Sequence, residues 1–361
     1  MSTEAPEILL AHYLKTLKLP TFQREYQKLA RLCATEGADH VGYLFRLSER
    51  EMIERDRRKV ERRIKAAKFP VVKSLDSFDF AAIPKEGDGR DDIGEGVHAP
   101  PVIGCGRSGM SDEVPEILLS HYLKTLKLPT FQREYQKLAR LCATDGVDHV
   151  EYLFRLSERE MIERDRRKVE RRIKAAKFPV VKSLDSFDFV AIPKLNKMQV
   201  LELARCEWIE RRENVIALGP SGTGKTHVAL GLGLAACQKG MSVGFTTAAA
   251  LVSEMMEARD ERRLLRFQKQ MAAYQLLIID ELGFVPLSKT GAELLFELIS
   301  QRYERGATLI TSNLPFDEWT ETLGSERLTG ALLDRITHHV NILEMNGDSY
   351  RLAQSRARKA G

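Results

Sequence analysis

Asn214-Val-Ile-Ala-Leu218, running directly into Gly219-Pro220-Ser221-Gly222-Thr223-Gly224-Lys225-Thr226, is the stretch that decides the fold. A short apolar run enters a full match to GxxxxGK[ST], and an apolar helical segment, Val228–Cys237, leaves it. That is the strand–loop–helix context a phosphate-binding loop requires. Glycines let the backbone wrap closely around phosphates, with amides and the helix dipole pointing inward. Lys225 is then placed to reach the β- and γ-phosphates, and Thr226 to ligate Mg²⁺.

Downstream, Leu276-Leu-Ile-Ile-Asp280-Glu281 has four apolar residues and then two acids. Such a run reads as a buried parallel strand with its acids at the carboxyl end, where ligands bind in open α/β sheets. Asp280 would hold the Mg²⁺ shell, and Glu281 would polarise an attacking water as general base. The pair favours hydrolysis over transfer to a small molecule, because a kinase needs no water-activating glutamate at this place. A further strand, Thr308–Ser312, ends at Asn313, which either orients water against the γ-phosphate or makes a turn. Val215–Leu218, Met241–Thr246, Leu276–Asp280, Thr308–Ser312 and Val340–Glu344 give five strands with helices between them, an α/β fold with a parallel sheet.

Upstream of this core the chain repeats itself. Glu4–Lys85 and Glu113–Lys194 align without a gap at an offset of 109, differing at six of 82 positions. Two copies at that period are a duplicated module, since a solenoid needs several short stacked units. Residues 86–112 read as a linker, with seven glycines, two prolines and five acids in 86–109. Met110-Ser-Asp-Glu mirrors Met1-Ser-Thr-Glu, so the chain reads as a 252-residue protein with an extra first module (1–85) fused in front and a second start at Met110. Charge divides likewise: the copies carry +5 and +4, the linker −4 with Asp112 counted, and Leu195–Gly361 is neutral, within an overall +5.

In the second copy (113–182), Ile117–Leu126 and Thr130–Leu141 read as short helices broken at Leu128-Pro129. Ser157-Glu-Arg-Glu160 fits a capping box, opening a helix that runs to about Lys177 ahead of Pro179. Its apolar stripe is Ile162, Val169, Ile173 and Ala176. Arg164, Arg166, Arg167, Lys168, Arg171, Arg172 and Lys174 surround that stripe, suiting it to the phosphate backbone of double-stranded DNA. The competing reading is a solvated helix laced with ion pairs four residues apart. Arg259, Arg262, Arg263 and Arg266 offer a second basic stretch, with Asp260 and Glu261 beside them favouring a solvated helix.

Several classes drop out. The longest apolar runs are about ten residues, against the ~20 of a membrane-spanning helix. No basic and apolar leader opens the chain. Five cysteines lack CxxC or Cys/His spacing, which reads as reduced thiols in a cytoplasmic protein.

From Met110 onward the chain resembles the IstB-like ATP-binding proteins, AAA+ transposition helpers encoded with insertion sequences and related to helicase loaders. The likeness rests on Leu128-Pro-Thr-Phe131, Arg164–Arg172, Ser183-Leu-Asp-Ser-Phe-Asp-Phe189, Leu195–Gln199, the phosphate loop, Leu282-Gly-Phe284 and Thr311-Ser-Asn313. It implies an AAA+ core over 183–361 that binds ATP with Mg²⁺. Asn313 matches the sensor-1 position, and Arg335 the arginine that reaches a neighbour's ATP. Arg351 matches a sensor-like arginine, with no separate helical lid expected after it. Phe187 and Phe189 lie in the linker that lines the adenine side. An arginine acting in trans implies a homo-oligomer with ATP between subunits. The family carries the module once, so the front copy is a departure from its pattern, expected to form the same helices but to be loosely tethered.

The favoured function is an ATP-dependent, DNA-stimulated helper that assembles on target DNA and activates a partner transposase, with hydrolysis driving release. A replicative helicase loader shares the same core. A non-enzymatic decoy, in which the front copy blocks a DNA or protomer contact, is the third reading.

Overall fold

Each copy of the module must cover a narrow apolar face with few residues, and both do so with three helices. In the computed structural model, which describes residues 4–68, 113–347 and 349–350, these are α1 (Glu4–Thr16), α2 (Pro20–Glu36) and α3 (His40–Ala66), then α4 (Glu113–Thr125), α5 (Pro129–Thr144) and α6 (His149–Ala175). Pro20 opens α2, where its missing N–H is no loss. Lys18 and Lys127, each at φ 61°, turn the chain just before the proline.

The capping box expected at Ser157–Glu160 is corrected. Helix α6 begins eight residues earlier, where the Asp148 carboxylate accepts the Glu151 N–H at 2.7 Å. Ser157 is fully buried inside the helix, and its hydroxyl has no hydrogen-bond partner among the described residues. Glu160 does cap a helix, but another one: its buried carboxylate accepts the Thr130 N–H at the start of α5, at 2.8 Å. Glu51 does the same for Thr21 at 2.8 Å. Arg164 and Arg55 compensate these buried charges at 2.9 Å. The apolar stripe is only partly covered, with Ile162 61% exposed and Ala176 buried.

The chain divides into two compact units at Arg164–Asp165. The first holds the three helices of the front copy and the second copy as far as Arg164, and their buried leucines and aromatics form one hydrophobic cluster from Leu10 to Leu156. The front copy is therefore packed, not loosely tethered: the apolar surface that one copy leaves open is covered by the other. The division falls earlier than the boundary at 182/183 drawn from sequence. From Ile173 and Ala176 onward the side chains pack into the core of the second unit.

That second unit is built on five parallel strands: β1 (Asn214–Leu218), β2 (Val243–Thr247), β3 (Leu276–Leu282), β4 (Ala307–Ser312) and β5 (Val340–Glu344), in the order β2-β3-β4-β1-β5. β4 is buried along its whole length and β3 at every residue but Glu281, as their near-continuous apolar runs require. α7 (Lys197–Leu203), α8 (Glu207–Glu210) and α9 (Lys225–Gln238) belong to the core on one face of the sheet. α10 (Ala248–Asp260), α11 (Leu264–Ala272), α12 (Lys289–Arg302), α13 (Trp319–Leu323) and α14 (Glu326–Thr337) supply the other. This is the α/β fold read from the sequence, a five-stranded parallel sheet with helices on both faces and further helices preceding it. No described helix is long and apolar enough to cross a membrane.

Candidate functional site

A cleft of about 490 Å³ opens at the carboxyl ends of β1, β3 and β4. Its floor is the loop Gly219–Thr226, which links β1 to α9. Gly219, at φ 151°, has the Met345 carbonyl where a Cβ would stand. Gly224, at φ 87°, is the residue before α9, and a Cβ there would lie 2.7 Å from the Phe187 ring. Both positions therefore need glycine for conformation and for space. The Thr223 hydroxyl donates to the Pro220 carbonyl at 3.0 Å, and the Lys225 ammonium donates to the carbonyls of Gly219 and Pro220 at 2.6 and 2.8 Å. Ser221, Gly222, Thr223, Gly224, Lys225 and Thr226 all line the cleft.

Side chains alternate faces along a strand, so a regular strand would send Asp280 and Glu281 to opposite sides. β3 avoids this with a register irregularity against β4 between Ile279 and Leu282, and Glu281 takes φ 60°. A left-handed non-glycine residue costs about 1–3 kcal/mol and persists only where its surroundings hold it. Thr311 on β4 does the holding. Its hydroxyl accepts the Glu281 N–H at 2.9 Å and donates to Asp280 Oδ1 at 2.5 Å. Thr226 donates to the same carboxylate at 3.1 Å. Asp280 is 3% exposed, so these hydroxyls replace its water, while Glu281 stays exposed and lines the cleft beside Thr311 and Asn313. A buried carboxylate next to a threonine hydroxyl is an all-oxygen donor set, which fits Mg²⁺.

Phe187 lines the cleft, and Phe189 supports it from behind with ring centroids 4.9 Å apart. Phe189 itself lies under the Lys197 ammonium. Sequence reading passed over His227, which pins this segment to α9. Its Nε2 lies 2.9 Å from the Ser183 carbonyl and 3.2 Å from the Ser186 hydroxyl, and its ring is 5.2 Å from Phe187. Thr311 was passed over too, although it sits in the quoted Thr311-Ser-Asn313. Lys182, Asp188, Phe284 and Tyr350 complete part of the lining, and the Tyr350 N–H donates to the Gly222 carbonyl at 3.1 Å.

Arg335 is not among the cleft residues. It lies on α14 with its guanidinium 4.8 Å from the Phe296 ring centroid and one nitrogen donating to the Ala331 carbonyl. Arg351 lies outside the described residues. Among the basic side chains, Arg164 is committed within the module, bridging Glu160 and the Lys127 carbonyl. Arg166 pairs with Glu170 and Lys168 with Asp165, both on the exposed helix surface. Arg171 donates to the Arg167 carbonyl, Arg172 lies against the Gly240 turn, and Lys174 is exposed. Arg259 pairs with Asp260, and Arg263 with Glu261.

A sequence profile described as IstB-like ATP binding protein matches residues 12–90 and 121–358. The chain is 39% identical over 246 residues to the ATP-binding protein of insertion sequence IS21 from Pseudomonas aeruginosa, covering 68% of this chain and 91% of that one. It is 37% identical over 238 residues to that of insertion sequence IS5376 from Geobacillus stearothermophilus, covering 66% and 95%. Among solved structures it is similar to the DnaC helicase loader, at 23% identity and TM-score 0.36, covering 41% of this chain and 86% of that one. The phosphate loop, the paired acids and the matched profile together place the chain in the family of IstB-like ATP-binding proteins.

Proposed function

We propose that this chain is an ATP-hydrolysing transposition helper that assembles on duplex DNA and activates a partner transposase, with hydrolysis releasing the assembly. The observation that carries the reading is the Asp280–Thr311–Glu281 arrangement. A buried carboxylate is fixed beside the phosphate loop, and the next residue is turned out of strand geometry so that a second carboxylate enters the same cleft. A nucleotide-binding protein with no hydrolytic step needs the first acid and has no use for the strained second one.

In this reading Thr226 and Asp280 hold Mg²⁺, which supplies charge neutralisation for the phosphates when bound. Lys225 leaves the Gly219 and Pro220 carbonyls to meet the phosphates. Glu281 takes a proton from the attacking water, and Asn313 orients that water from the end of β4. Phe187 forms the wall for the base, braced by His227 and Phe189. Arg335, outside its own cleft, serves the ATP of a neighbouring subunit, so that ATP closes the interfaces of a homo-oligomer. Its contact with Phe296 is then a resting position.

DNA is held by the exposed cations Arg166, Lys168, Arg171 and Lys174, with the half-buried Arg167 and Arg172 beside them. Exposed ion pairs such as Arg166–Glu170 are worth about 0–1 kcal/mol, so a phosphate can replace the carboxylate at little cost. The relatives' setting in insertion sequences supports the transposase as client.

The test is sedimentation and electron microscopy of the full chain on long duplex DNA with Mg²⁺ and either ATP or ADP. ATP should give DNA-bound oligomers that disperse as ATP is consumed, and Lys225→Ala should give none. Equal assemblies with ATP, ADP and Lys225→Ala would sink the proposal.

A further inference from the structure

The two copies of the module meet through contacts that come in mirrored pairs. Tyr13 stacks on Phe154 with ring centroids 5.9 Å apart, and the counterparts at the offset of 109, Tyr122 and Phe45, stack at the same 5.9 Å. His40 Nε2 lies 2.9 Å from the Val147 carbonyl, and His149 Nε2 lies 3.0 Å from the Ala38 carbonyl. The His40 ring meets Tyr152 at 5.0 Å, and His149 meets Tyr43 at 5.1 Å. At the centre the two histidine rings face each other, 5.0 Å apart. Where residue i touches residue j and j's counterpart touches i's, the surface is self-complementary, as in a two-fold dimer.

The pairing is well buried. Tyr43 and Tyr152 are fully covered, and burial pushes both phenols above their ordinary range. Each phenol donates to a carbonyl of its own copy, Tyr26 or Tyr135, so neither phenol is stranded. Ala38 and Val147, one of the six differences between copies, both pack against the shared cluster. The interface therefore accepts the exchange of a small for a larger apolar residue.

We infer that the front module is a built-in stand-in for a second subunit: it occupies in cis the pairing surface that the second module would otherwise offer to another copy of this chain. The surface fits a module of this sequence because one is seated on it, residue for residue. Joining the partners in one chain makes pairing intramolecular, with an effective concentration on the order of 1 mM for linked modules. At micromolar protein the front copy then outcompetes a second chain by a factor on the order of 10²–10³. The consequence is specific to the duplication: a chain with one module would pair with its neighbour through this face, and this chain has that face already filled. The inference is independent of nucleotide chemistry and holds whether or not the cleft hydrolyses ATP.

Two measurements on the full chain, free of nucleotide and DNA, test it. The first is cross-linking of Phe45→Cys/Tyr122→Cys in a Cys105→Ser background with a short bismaleimide at micromolar protein. The native cysteines at 33, 142, 206 and 237 are buried and should not compete. The 45–122 link should appear in a product of one chain mass, 40.9 kDa; a product of twice that mass, or no link, overturns cis occupancy.

The second is sedimentation of a variant altered on the front copy alone, Tyr13→Glu/Phe45→Glu. Wild type should run at one chain mass, and the variant should double in mass with rising concentration as freed second modules pair between chains. Adding Tyr122→Glu/Phe154→Glu should return it to one chain mass. A front-copy variant that keeps its helix content and stays at one chain mass overturns the proposal. So does a wild-type dimer that the glutamates dissolve.

Discussion

Replacing Thr311 by Val removes one oxygen from a residue that is 1% exposed and leaves its shape in β4 nearly unchanged. Two hydrogen bonds disappear with it, the Glu281 N–H to Thr311 at 2.9 Å and Thr311 to Asp280 at 2.5 Å. A neutral hydrogen bond contributes about 0.5–1.5 kcal/mol and one to a charged group about 1.5–3, so the loss is about 2–4.5 kcal/mol. Asp280 keeps Thr226, which limits the cost at the carboxylate, whereas the Glu281 N–H loses the Thr311 hydroxyl. For a unit of about 200 residues each kcal/mol moves Tm by about 2–4 °C, which gives a fall of roughly 4–18 °C by circular dichroism. With Thr311 gone, nothing holds Glu281 at φ 60°, so ATP turnover should fall by about tenfold or more, since each ~1.4 kcal/mol on the barrier is tenfold. Nucleotide affinity should change far less. Thr311→Ser keeps the hydroxyl and should stay close to wild type in both readouts. If Val melts within 2 °C of wild type, or Ser and Val lose activity equally, the hydroxyl is not what holds the two acids in place.

Arg302 sits buried with no carboxylate partner among the described residues, donating to the carbonyls of Met271, Tyr274 and Ala307 and to Thr308, and burial pulls its pKa down to about 10. Arg302→Ala should lower stability by about 3–5 kcal/mol through the stranded carbonyls and the cavity, read as a shift in urea midpoint; a loss below 1 kcal/mol would contradict this. Burial raises the Cys237 thiol to about 11, so the folded chain keeps a proton that the unfolded chain releases near 8.5. That contribution to stability is intact below about pH 8.5 and is lost as pH rises toward 11; the fall in urea midpoint between pH 8 and pH 10.5 should be smaller in Cys237→Ala. If phosphate contacts run along α6, Arg166→Glu/Lys168→Glu/Arg171→Glu should flatten the plot of log affinity against log salt by about 3 for duplex DNA of any sequence. An unchanged slope would move the DNA surface elsewhere.

The fold of the second unit was legible because each signal was local. The phosphate loop, the apolar run before Asp280-Glu281 and the strand at Val340–Glu344 each fit within ten residues, and the alternation of strands and helices fixed the sheet. What stayed illegible depended on contacts distant in sequence. Ser157-Glu-Arg-Glu160 has the spacing of a capping box, yet Glu160 caps α5, thirty residues upstream, and only tertiary packing decides between those partners. The bulge that turns Glu281 into the cleft while Asp280 stays buried against Thr226 and Thr311 leaves no mark in composition, and Thr311 takes its meaning from being opposite it. His227 looks like an ordinary helix residue until Ser183 is seen to fold back onto α9. The duplication was plain from sequence. That the copies would share a core was not, because the residues that close it also make sense as the surface of a single module.

If this cleft hydrolyses ATP by means of Glu281, phosphate release at saturating Mg²⁺ and ATP depends on that carboxylate. Glu281→Gln keeps the size and the bulge and removes the base. Turnover should fall by about 10²–10⁴ with ATP still bound, and DNA assemblies should form and no longer disperse. Turnover equal to wild type in the glutamine variant would contradict this role for Glu281.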